Sequence, residues 1–131
     1  MKPKFLGELV IQEYHPYEWL LYRELEYITV TRGREEIIKA EIGFRTDLAS
    51  IPRILHSLIP QNGRHRKPAV IHDKLYRTAG LHDYTRAQAD AIFLEAMLLV
   101  GVPRYRAYLM YSGVRAGGWI TWKKALEANN V

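Results

Sequence analysis

The sequence predicts an α+β fold, and three observations carry that expectation. Residues 1–44 hold short runs of β-branched, aromatic and leucine residues, punctuated by His15-Pro16 and by Arg32-Gly33-Arg34. From Pro68 to Val100 the pattern turns helical, in two segments either side of a polar break at residues 80–84. Gly101 and Pro103 then provide a helix stop and a new helix start. At 131 residues the chain is expected to form one domain. Its strand-rich part covers residues 1–44, and its helical part, which carries the candidate site, covers residues 45–131.

Taken in order, ELVIQEY (8–14) and WLLYREL (19–25) read as strands. YITVT (27–31) alternates more clearly, and the Arg32-Gly33-Arg34 turn pairs it with EIIKAEIGF (36–44). The expected product is an antiparallel meander of three or four strands. In FRTDLASIPR (44–53), Ser50 suits a helix N-cap and Pro52 a first turn, so a short helix is expected over residues 51–59, ending at Pro60. The loop QNGRHRK (61–67) follows, a basic stretch that is either solvated or placed for anion contact. Thr85 and Gln88 have capping-box spacing, and Ala89, Ile92, Phe93, Ala96, Met97 and Val100 keep a 3.6-residue period. The last helix carries Tyr105, Tyr108, Tyr111, Trp119 and Trp122, expected as core against the sheet, with Arg104, Arg106 and Arg115 at its surface or rim.

An apolar fraction of 48% and a charged fraction of 25% fit a folded globular chain and exclude wholesale disorder. No apolar run reaches the roughly 18 residues of a membrane span. The basic start MKPKFL has no apolar segment or cleavage site after it, so no signal peptide is expected. The absence of cysteine excludes disulfides and thiolate metal sites, and fits cytosolic synthesis. A formal charge of +5 favours anionic partners, but the basic residues are dispersed, so a basic nucleic-acid or host-protein binder ranks only third among the readings.

His72 and Tyr76 stand four apart on one helix, so they project the same way, with Asp73 beside them. A short connection makes the next helix an antiparallel neighbour, which lets Asp90 face His72. Asp90 shares its face with Phe93 and Met97, and a carboxylate on an apolar face needs a partner. The expected chemistry is hydrolytic. Asp90 orients the imidazole of His72, whose other nitrogen deprotonates water for attack on an ester or similar carbonyl. Asp73, helped by Asp47 and the 61–67 loop, would hold a divalent cation that polarises the carbonyl oxygen. Ca²⁺ is preferred, with Mg²⁺ or Zn²⁺ as alternatives, and His56 and His65 are further possible ligands. The plain alternatives are i,i+4 ion pairs, Arg86 with Asp90 and Asp73 with Arg77, worth about 0.3–0.5 kcal/mol each if exposed.

The stretch VIHDKLY with the later QADAIF resembles the HD-x-x-Y helix and following aspartate helix of secreted and viral phospholipases A2. That resemblance implies a general base at His72, a calcium ligand at Asp73, and Tyr76 and Asp90 supporting the histidine. The glycine-rich calcium loop and the paired cysteines of those enzymes have no counterpart here. A longer pattern, FRTDLASIPR, AVIHDKLY, TRAQADAIFLEAM and YSGVRAGG, is similar to a tailed-phage and prophage family known mainly as a domain of unknown function. It adds Asp47, Ser50 and Arg53 to the site.

The leading expectation is therefore a phage-encoded hydrolase acting on a lipid or other anionic ester. It would be made in the host cytoplasm, with carriage in the virion as an alternative. The rival is a non-enzymatic phage structural or assembly protein, in contact with other phage structural proteins, whose His–Asp cluster is a core hydrogen-bond network.

Overall fold

The computed structural model describes residues 1–15, 18–47 and 63–130. Among the described residues six strands precede three helices: β1 (Lys4–Leu6), β2 (Ile11–His15), β3 (Glu18–Leu21), β4 (Leu25–Thr29), β5 (Glu36–Ala40), β6 (Arg45–Thr46), α1 (Arg66–Arg77), α2 (Arg86–Leu99) and α3 (Arg104–Ala128). The α+β class and the antiparallel pairing are as expected. The single meander is not: the strands divide between two three-stranded sheets, in the orders β1-β4-β5 and β2-β3-β6. The β4–β5 hairpin forms where the sequence placed it, with Gly33 at φ 80° closing its turn. The strand expected over 8–14 appears as β2, starting only at Ile11, and β1 precedes it across Gly7 (φ 93°) in the other sheet. The short helix expected over 51–59 lies outside the described residues.

Packing follows from which faces carry apolar side chains. Leu25, Tyr27, Ile38 and Ala40 of the first sheet, with Leu21 of the second, meet Val70, Ile71 and Leu75 of α1 and Ala89, Ile92 and Ala96 of α2. A second cluster joins the helices to one another: Ala69 of α1, Phe93 and Met97 of α2, and Ala107, Met110 and Val114 of α3. Helix α1 is thus covered on both sides, by sheet and by helices. One carboxylate fixes α2 to the sheet. Glu95 accepts hydrogen bonds from the Tyr27 hydroxyl (2.7 Å), the Thr29 hydroxyl (2.8 Å) and the Thr31 hydroxyl (2.9 Å).

The helix ends match their sequence signals closely. Thr85 and Gln88 form the full capping box at the start of α2. At its end Gly101 (φ 88°) gives its N–H to Leu98 O and Val102 gives its N–H to Met97 O. This is the Schellman pattern, with Val102 and Met97 in the same apolar cluster. Pro103 then starts α3. The aromatic residues of α3 correct the sequence expectation. Trp122 packs against the core, but Tyr105, Tyr108 and Trp119 are exposed, Trp119 at 54%. Among the described residues helix α3 lies chiefly on α2 and α1, and its buried residues form the one stripe Ala107, Met110 and Val114.

Within α3, two adjacent glycines differ sharply. A Cβ at Gly117 would meet nothing within 4 Å, whereas one at Gly118 would fall on the Tyr76 hydroxyl and within 3.1 Å of two of its ring carbons. Gly117→Ala should therefore stabilise the protein by up to about 1 kcal/mol through helix propensity. Gly118→Ala should destabilise it by about 1–3 kcal/mol through overpacking. Urea denaturation of the two variants checks the contrast, and equal stabilisation by both would contradict the close approach of α3 to Tyr76.

Candidate functional site

The polar centre of the helical layer is Asp90, whose side chain is 0% exposed. Its Oδ1 accepts from His72 Nε2 at 2.8 Å and from the Tyr76 hydroxyl at 2.7 Å. Its Oδ2 accepts from Arg115 Nη1 at 2.8 Å and from Arg86 Nη1 at 3.3 Å. The four donors come from all three helices. Arg86 also donates to the carbonyls of Val114 (3.0 Å) and Arg115 (3.2 Å), tying α2 to α3.

Burial alone would raise the Asp90 carboxyl, but the hydrogen bonds from His72, Tyr76 and Arg115 outweigh it and hold the group below the usual range. Asp90 is therefore ionised and can only accept. His72 must then donate through Nε2–H, and in the neutral ring Nδ1 is the nitrogen with the free lone pair. Nδ1 has no hydrogen-bond partner among the described residues. The ring stacks on Phe93 (centroids 4.5 Å apart) and lies against Tyr76 (4.3 Å), and the residue is 4% exposed. Tyr76 is itself held edge-on by Trp122, at 5.1 Å. Its hydroxyl is pushed above the usual tyrosine range by burial and by its bond to Asp90, so it acts as a donor and not as an anion.

Asp73 belongs to a separate cluster. Successive helical residues diverge by about 100°, so Asp73 turns toward β6 while His72 and Tyr76 turn toward α2. Asp73 Oδ2 accepts from the Asp47 backbone N–H at 3.0 Å, and Oδ1 accepts from Arg77 Nε at 3.0 Å. The Thr46 hydroxyl also bonds to it. Burial, reinforced by the negative charge of Asp47, pushes the Asp73 carboxyl up to about 6, against the pull of Arg77.

The expected residues are thus sorted into two groups. His72, Tyr76 and Asp90 meet as the spacing implied, and Asp47 meets Asp73, but the two groups lie on different sides of α1. Both i,i+4 pairs expected as plain alternatives also form, Arg86 with Asp90 and Arg77 with Asp73. Ser50, Arg53 and His56 lie outside the described residues. His65 sits ahead of α1 with no part in either group. Arg115 sits at the rim as expected, but its partly buried side chain also reaches in to Asp90 Oδ2 at 2.8 Å, a contact the sequence reading did not include. Nothing local in the sequence signals this, since the pair is 25 residues apart on different helices.

A divalent cation at Asp73 would compete with partners already present. Both Asp73 oxygens already accept hydrogen bonds, and Arg77 supplies the compensating charge. Among the described residues no group of three or more potential metal-ligating side chains comes together.

Two measurements check this electrostatic picture. Asp90→Asn leaves Arg86 and Arg115 facing an amide, and should cost about 3–5 kcal/mol in chemical denaturation. A cost below about 1 kcal/mol would show that the carboxylate is not the hub. Asp73 acts in the opposite sense. Its folded pKa of about 6 exceeds the ordinary 3.8, so its contribution to stability is full below about pH 4 and is lost as pH rises through 6. Asp73→Asn should remove that loss. Thermal melts from pH 4 to 7 should show a smaller decline for the variant than for the wild type, and parallel curves would refute the assignment.

No curated protein and no solved structure matches this chain. Residues 19–114 match the family described as a protein of unknown function, DUF1353. That stretch starts in β3, ends within α3 and contains every residue of both clusters except Arg115, which lies one position beyond it. The chain belongs to the DUF1353 family.

Proposed function

We propose that this protein is a phage-encoded hydrolase in which His72 is the general base, with an ester or phospholipid as substrate. One observation carries the reading. The imidazole is fixed through Nε2 on a buried, ionised carboxylate, while Nδ1 takes no bond among the described residues. In the proposed reaction Nδ1 removes a proton from water as its oxygen attacks the ester carbonyl carbon. Asp90 stays ionised and stabilises the imidazolium. The imidazolium then returns the proton to the leaving alkoxide, which breaks the ester C–O bond and regenerates neutral His72. Tyr76 holds Asp90 in position. This arrangement supports the resemblance to the HD-x-x-Y helix of phospholipases A2, where the same three side-chain types form the base. A cation, Ca²⁺ before Mg²⁺ or Zn²⁺, would have to take Asp73 from Arg77, and no step above depends on one.

Stability alone does not account for the cluster. A buried ion pair is commonly no better than well-packed apolar residues of similar volume. A second reading nonetheless has its own support. Asp90 is fully enclosed and His72 is 4% exposed, which suits a phage structural or assembly protein that uses the network to fix helix pairing.

Diethyl pyrocarbonate modification, mapped by peptide mass spectrometry, separates the two. The hydrolase reading predicts carbethoxylation of His72 in the folded protein. It also predicts parallel loss of hydrolysis of phospholipid vesicles or short-chain aryl esters. A His72 that reacts only after denaturation, with no hydrolysis by the native protein, would overturn that reading in favour of the structural one.

A further inference from the structure

A second site lies at the other end of α1. A cleft of about 340 Å³ is lined by residues 63–65 and 101–103 together with Arg106 and Met110. It sits where two helices begin. Neither α1, capped by His65, nor α3, capped by Pro103, has a side-chain cap hydrogen bond or an acidic residue in its first turn. The N–H groups of Arg104, Tyr105 and Arg106 open α3 without partners in the helix, and the helix dipole makes that end positive. Proline at the cap cannot satisfy them with its side chain.

The side chains around the cleft repeat the same sign. Arg64 and Arg106 have no acidic partner among the described residues, and no acidic residue lines the cleft. The Arg64 guanidinium lies along Gly101, where an added Cβ would come within 2.7 Å of Nη1. His65 is 7% exposed, yet its ring nitrogens have no hydrogen-bond partner among the described residues. Neither nitrogen is among the buried atoms left without a partner, so the ring presents its nitrogens to open space, where a ligand can bond them. Burial, aided by Arg66, holds its pKa below the usual histidine range, so it is a neutral hydrogen-bonding group at neutral pH. Val102, Pro103 and Met110 contribute the apolar part of the lining.

We infer that this cleft binds the phosphate group of a small phosphomonoester, with Arg64, Arg106 and the α3 N-terminus on the oxyanion, His65 as a hydrogen-bonding group and the Val102–Met110 wall against an apolar body. Positive charge at a helix start recognises the anion, and the buried wall favours a ligand with more than a bare phosphate. The site uses none of the residues of the His72 cluster and does not rest on the hydrolytic reading.

The test is an NMR titration of the ¹⁵N-labelled protein with inorganic phosphate and, separately, phenyl phosphate. Saturable shifts should concentrate in the amides of residues 63–66 and 101–106, with phenyl phosphate the tighter of the two. Arg64→Gln/Arg106→Gln should weaken binding by about tenfold or more while leaving the remaining spectrum in place. His65→Phe keeps the ring volume, removes both nitrogens and should weaken binding as well. Absence of saturable shifts at these amides, or unchanged affinity in the double-arginine variant, would overturn the site.

Discussion

The helical half of this protein depends on one buried negative charge. Asp90 is removed from water completely, and an isolated carboxylate in that position would not remain ionised. It stays ionised because His72, Tyr76, Arg86 and Arg115 supply four donors to its two oxygens. Arg86 reaches it from within α2, whereas His72, Tyr76 and Arg115 reach it only when α1 and α3 are in register with α2. The carboxylate therefore fixes α1, α2 and α3 together, and the same register seats Phe93 on the His72 ring and Gly118 on Tyr76. An apolar core could hold three helices in several related packings, whereas this one admits a single arrangement of donors.

The sheets supply the frame for that arrangement. Glu95 lies five residues after Asp90 on α2 and binds the hydroxyls of Tyr27, Thr29 and Thr31, which sets the height of α2 against β4. On the other side, β6 delivers Thr46 and Asp47 to Asp73, which sets α1 against the second sheet. Helix α1 is thus held through Asp73 on one face and through His72 and Tyr76 on another. Two adjacent titratable residues of the HD pair perform different jobs because consecutive helical positions point in different directions.

Much of this was legible in the sequence, and the gaps have physical causes. The i,i+4 spacing of His72 and Tyr76 and the capping box at Thr85 located two helices and their facing residues, because these signals are local and periodic. Arg115 was not legible, since its pairing with Asp90 depends on how α3 crosses α2 and no spacing rule reaches across helices. Glu95 was missed for the same reason: its partners lie more than 60 residues away. The exposed aromatic residues of α3 were misassigned because a helix with aromatic residues all round does not reveal which stripe its neighbours cover. The split into two sheets was hidden because strand content says little about strand order when β1 and β6 pair out of sequence.

The most direct test of the account is the tautomer of His72, read from long-range ¹H–¹⁵N correlations of the imidazole at pH 9. An ionised Asp90 accepting from Nε2 predicts a proton on Nε2 and a bare lone pair on Nδ1. A proton on Nδ1 would contradict it, because Nε2 would then be an acceptor facing a carboxylate that has no proton to give.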